Sequence, residues 1–146
     1  MPDEEGNKSV KLLLVEDHLP DIVLTKKAFC KGEFEYDIQI VRDGEQALKY
    51  LFHLHPFENT ASPNLILLDI NLPKKSGHEV LKEIKNSAYS GIPVIILSSS
   101  ESEQDKLKSY KLYADSYFVK PSGLSGFVEI VKYIEDHWIQ VGKLNK

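Results

Sequence analysis

Three nearly continuous apolar runs of strand length constrain this chain most: Lys11-Leu12-Leu13-Leu14-Val15, Leu65-Ile66-Leu67-Leu68 and Pro93-Val94-Ile95-Ile96-Leu97. Runs this short and this apolar suit strands buried on both faces of a parallel sheet. Residues 36–41 and 117–119 read as two further strands. Apolar stripes at helical spacing lie between them: Ile22, Val23, Ala28 and Phe29, then Ala47, Leu48, Leu51 and Phe52, then Val80, Leu81 and Ile84. Residues 101–114 read as a fourth helix with Leu107, Tyr110 and Ala114 inward, and Leu124 to about Val141 as a fifth. A loop of unusual length runs from about 53 to 63. Five strands alternating with five helices predict an α/β fold, a doubly wound parallel sheet covered on both faces. Residues 10–141 form the expected domain, with a flexible N-terminus at 1–9 and a C-terminal tail at 142–146.

At 146 residues and a formal net charge of -4, the chain fits one domain, and its acidity argues against nucleic acid as a partner. No apolar run approaches bilayer length, and the acidic start carries no secretory signal. Lone Cys30 suits a reducing cytoplasm.

In doubly wound sheets, ligands bind beyond the carboxyl ends of the strands, where strand order reverses. Those ends carry Glu16-Asp17, Asp69, Ser98 and Lys120. With the first strand between the second and third, three carboxylates share one cleft with a hydroxyl and an ammonium at its rim. Such carboxylates repel unless a cation intervenes, and a hard cation with oxygen ligands, Mg²⁺, meets that need. A carboxylate beside Mg²⁺ and a lysine is a nucleophile toward phosphorus. Singly, each of these residues reads as a cap, a turn or a solvated side chain. Together, at successive strand ends, they read as a site.

The motifs Leu14-Val15-Glu16-Asp17, Leu67-Leu68-Asp69-Ile70-Asn71-Leu72-Pro73, Val94-Ile95-Ile96-Leu97-Ser98 and Tyr117-Phe118-Val119-Lys120-Pro121 resemble the receiver domains of response regulators. The stretch from Asp69 to Gly77 and the ending Val131-Lys132-Tyr133-Ile134-Glu135-Asp136-His137-Trp138 resemble the stand-alone regulators paired with bacterial phytochromes. The resemblance implies a flavodoxin-like sheet of order 2-1-3-4-5. It implies that Asp69 accepts a phosphoryl group from a sensor histidine kinase, phytochrome-like by this resemblance. Asp17, Asp69 and the main-chain carbonyl of Asn71 would bind Mg²⁺ directly, and Glu16 through a water. Ser98 would be the switch hydroxyl, Lys120 the phosphoryl-binding lysine and Tyr117 the aromatic that turns inward as Ser98 moves. Three positions depart from the usual pattern: Glu16 for Asp, Ser98 for Thr and Tyr113 for Gly.

The last helix carries apolar residues around about half its circumference, more than one sheet-facing stripe needs. A homodimer through the fourth helix, fifth strand and fifth helix is therefore expected, with packing of the tail as the alternative. The five histidines show no metal-binding spacing. Two competing readings are weaker. A pseudo-receiver would lack an acid or the lysine. An enzyme on this fold would want a Ser/Thr-rich phosphate loop after the first strand, or a second Asp two residues beyond the first, where Leu19 stands.

Overall fold

The computed structural model describes residues 9–139. The expected flexible start lies outside them apart from Ser9, as do the tail at 142–146 and the last two residues assigned to the fifth helix. Five strands, β1 (Val10–Val15), β2 (Tyr36–Val41), β3 (Leu65–Leu68), β4 (Val94–Ser98) and β5 (Ser116–Val119), form one sheet of order β2-β1-β3-β4-β5, every pair parallel. The helices are α1 (Leu19–Cys30), α2 (Gly44–Leu51), α3 (Gly77–Lys85), α4 (Glu103–Lys111) and α5 (Leu124–Ile134), the last running into a π-helical turn, Glu135–Ile139. Fold class and strand order match the sequence reading.

The alternation of side chains along each strand explains why these runs are apolar throughout. Leu13, Val15, Ile66, Leu68, Val94 and Ile96 pack under α2 and α3. Leu12, Leu14, Leu65, Leu67, Ile95 and Leu97 pack under α1 and α5. Capping places the helices where the sequence breaks: Asp43 accepts from Gln46 N, Ser102 from Asp105 N, and Ser76 with Glu79 forms a reciprocal capping box.

Three inward assignments are corrected. Leu107 and Tyr110 are exposed, at 58% and 50%. The inner face of α4 is instead Asp105, Lys106 and buried Ser109, whose hydroxyl donates to Asp105 O and meets His78 Nε2 at 2.9 Å. The helix is too polar to be pinned by a leucine, and that hydroxyl contact sets its rotation. Val23 is likewise exposed, since one residue beyond Ile22 turns about 100° away from the buried stripe of Ile22, Thr25, Ala28 and Phe29. On α5 the broad apolar arc is used internally. Phe127, Val131 and Ile134 are buried, Leu124, Val128 and Ile130 pack against the same core, and Ile139 and Trp138 join it from the π-helical turn. Tyr133 is the large apolar residue α5 exposes among the described residues.

Candidate functional site

The ladder hydrogen bonds carry the site residues past the strand ends. Glu16 N donates to Val41 O at 3.1 Å and Asp69 N to Val15 O at 3.1 Å, which aligns the two acids at the point where strand order reverses. Lys120 N donates to Ser98 O at 2.8 Å, so the lysine leaves β5 beside the end of β4. Behind Asp69 the chain turns tightly, and a Cβ at Gly77 would run into the Asp69 carbonyl.

Glu16, Asp17 and Asp69 offer carboxylate oxygens that all lie within 4.8 Å of one another. Glu16 and Asp69 are buried, and Asp17 is exposed. Lys120 Nζ stands against them, 2.8 Å from Glu16 Oε1 and 3.1 Å from Asp69 Oδ2. The second oxygen of Glu16 accepts from His18 N at 3.1 Å, and Asp69 Oδ1 from Asn71 N at 3.2 Å. Arg42 Nη2 donates to the Asp17 carbonyl at 2.9 Å and fixes the loop.

Burial and the neighbouring Asp69 push Glu16 up to about 7 against the pull of Lys120. Burial would lower Lys120, but hydrogen bonds to Asp21 and Glu16 outweigh it and hold the ammonium well above its ordinary value. One lysine does not neutralise three acids. Hard oxygen donors this close, one open to solvent, fit a small divalent cation that keeps several waters.

Of the residues singled out in the sequence, Glu16, Asp17, Asp69 and Lys120 lie together in one cluster. Ser98 is fully buried at the end of β4, where its hydroxyl accepts from Ser100 N at 3.2 Å. Tyr117 is half-buried against the core, and its hydroxyl donates to Ser100 O at 2.9 Å. One carboxylate was missed: Asp21, from the first turn of α1, whose Oδ2 lies 2.8 Å from Lys120 Nζ and 2.8 Å from His18 Nδ1. The only hint in the sequence is an acid four residues beyond Asp17, which reads as an ordinary first-turn helix acid.

The sheet thus brings acids at the ends of β1 and β3 against a lysine just after β5. The chain belongs to the response regulator receiver domain family, which matches residues 12–132. It is 39% identical over 138 residues to response regulator Rcp1 of Synechocystis sp., covering 94% of each chain. The crystal structure of the phosphorylated cyanobacterial phytochrome response regulator RcpA superposes with a TM-score of 0.86 at 41% identity, covering 92% of this chain and 96% of the other. The Mn²⁺-bound form of Rcp1 superposes with a TM-score of 0.83 at 39% identity, covering 90% and 95%. The chain is thus a two-component response regulator of the receiver type, related to phytochrome response regulators, and a divalent cation is the cofactor its acidic cluster fits. Proteins of this family work with histidine kinases.

Proposed function

We propose that Asp69 accepts a phosphoryl group from a histidine kinase and that the domain carrying this chemistry is residues 10–141. The carrying observation is the lysine bridge: Lys120 Nζ contacts the carboxylates of both Glu16 and Asp69 at the strand ends, and those two carboxylates cluster with that of Asp17. An Asp69 carboxylate oxygen forms a bond to phosphorus as the phosphorus–nitrogen bond of the donor phosphohistidine breaks. The electron pair leaves with the imidazole, which takes up a proton. Catalysis of such a transfer is mainly positioning and charge neutralisation. Lys120 supplies a buried ammonium for the incoming oxygens. Asp17, Asp69 and the Asn71 carbonyl would hold Mg²⁺, with Glu16 acting through a water, and the cation would neutralise the transferring group. Ser98 donates its hydroxyl to a phosphoryl oxygen, and Tyr117 follows it through the loop around Ser100. This domain carries out no chemistry beyond gaining and losing its own phosphoryl group.

Similarity to Rcp1 and RcpA supports a phytochrome-type kinase as donor. Output leaves through a homodimer on the α4–β5–α5 face, where Leu107, Tyr110, Tyr113 and Tyr133 are exposed. The same reading places the protein in the cytoplasm with no nucleic-acid target, consistent with its single cysteine and net charge of -4. Among the described residues, no helix is long and apolar enough to cross a membrane. The test is incubation with phosphoramidate or acetyl phosphate. Intact mass should show one phosphoryl adduct with Mg²⁺ and none with a chelator. Labelling that ignores Mg²⁺ would contradict the reading.

A further inference from the structure

Lys120 has three N–H donors. In this structure three carboxylate oxygens crowd its nitrogen: it donates to Asp21 Oδ2 at 2.8 Å and Asp69 Oδ2 at 3.1 Å, and Glu16 Oε1 makes an ion pair at 2.8 Å. The bond to Asp69 is the longest. Asp21 comes from a different element than the other two and stands outside the carboxylate set that suits a cation. A first-turn acid ordinarily serves the free N–H groups of its own helix. Here the carboxylate turns away from them and reaches 99 residues along the chain to the lysine. His18, the N-cap residue, offers no side-chain cap and instead meets the same Asp21 oxygen. The lysine side chain is 9% exposed and Asp21 17%, so their contact is largely shielded from water.

We propose that Asp21 is a positioning residue for Lys120, and that by holding one of its donors and sharing its charge it sets how strongly the site binds an anionic phosphoryl group at Asp69. The proposal rests on Asp69 being the phospho-acceptor. Four carboxylates (Glu16, Asp17, Asp21 and Asp69) against one ammonium leave the cluster at a formal charge of -3 when all are ionised, and neutralising Asp21 leaves -2. An incoming group of nearly two negative charges then meets less repulsion and a less committed lysine. A cation meets a weaker attraction. The two affinities therefore move in opposite directions when Asp21 loses its charge, whereas a residue that merely holds the fold would weaken both or neither. Glu16 and Asp69 still hold Lys120 at the site, but without the third partner that fixes the direction of its ammonium.

The experiment compares the wild type with Asp21→Asn and Asp21→Glu. Calorimetry gives Mg²⁺ affinity, and titration at saturating Mg²⁺ gives affinity for beryllofluoride, the phosphoryl mimic. Asp21→Asn should bind Mg²⁺ more weakly and beryllofluoride more tightly, each by about fivefold. Asp21→Glu, which keeps the charge, should return both toward wild type. Two unchanged constants, or two that weaken together, would overturn the proposal. Failure of the wild type to bind beryllofluoride would remove the phospho-acceptor reading itself and this proposal with it.

Discussion

Glu16 stays ionised at neutral pH only with help. Burial and Asp69 raise its carboxyl from the 4.5 of a free glutamate to about 7, although Lys120 sits 2.8 Å away. In metal-free protein, the folded state therefore keeps a proton that the unfolded chain has released. The stability tied to that proton is fully present below the unfolded value and is lost as pH rises through about 7. Urea denaturation with a chelator present should show a loss on the order of 2 kcal/mol between about pH 4.5 and 7.5. Glu16→Gln should abolish most of that slope. Asp21 does not offset it in this window, since its depressed carboxyl is already ionised in both states. Added Mg²⁺ should stabilise the protein more at the upper end, because its carboxylate ligands must be deprotonated. At this scale the sequence was informative for residues adjoining an apolar run, since a strand end fixes where they stand. It was silent on Asp21, whose contact with Lys120 joins α1 to the residue just after β5 and is encoded by no local pattern.

Elements end where backbone conformation allows. Tyr113, just beyond α4, has φ of 73°, the left-handed region that costs an L-residue with a side chain about 1 kcal/mol or more. It is 75% exposed, so its ring contributes little packing to offset that cost. Tyr113→Gly should raise stability by about 0.5–1 kcal/mol in urea denaturation, while Tyr113→Ala should not. The departure from glycine was readable in the sequence, but its cost appears only with the dihedral. A second device joins the end of α5 to the connection between α1 and β2. Buried Glu135 accepts from Tyr36 Oη at 2.7 Å and Glu33 N at 2.8 Å. Removing that acceptor in Glu135→Ala should cost about 2 kcal/mol, with Glu135→Gln milder. The rotation of α4 was not legible, because a helix of mostly charged residues carries no stripe, and the contact between Ser109 and His78 that orients it joins separate helices. Strands β1, β3 and β4 were legible because burial on both faces leaves an unbroken apolar run.

Across the whole molecule, the acidic site and the proposed output face are joined by a short chain of contacts. Lys120 lies beside Ser98 through the β4–β5 ladder, and Tyr117 ties β5 to the loop before α4. Leu107, Tyr110 and Tyr113, in and just beyond α4, leave apolar surface in water. A homodimer through this face should tighten by about 1–3 kcal/mol when Asp69 is occupied by beryllofluoride, as is typical of coupled sites. Sedimentation with and without the mimic measures this, and Tyr110→Lys should weaken association in both states. The central claim is that Asp69 carries the phosphoryl group. Borohydride reduces an aspartyl phosphate to homoserine, so peptide mass spectrometry of protein phosphorylated with Mg²⁺ and then reduced locates the acceptor. Homoserine should appear at position 69 in the wild type, and Asp69→Asn should carry no phosphoryl adduct. Homoserine at position 17, or undiminished labelling in Asp69→Asn, would contradict it.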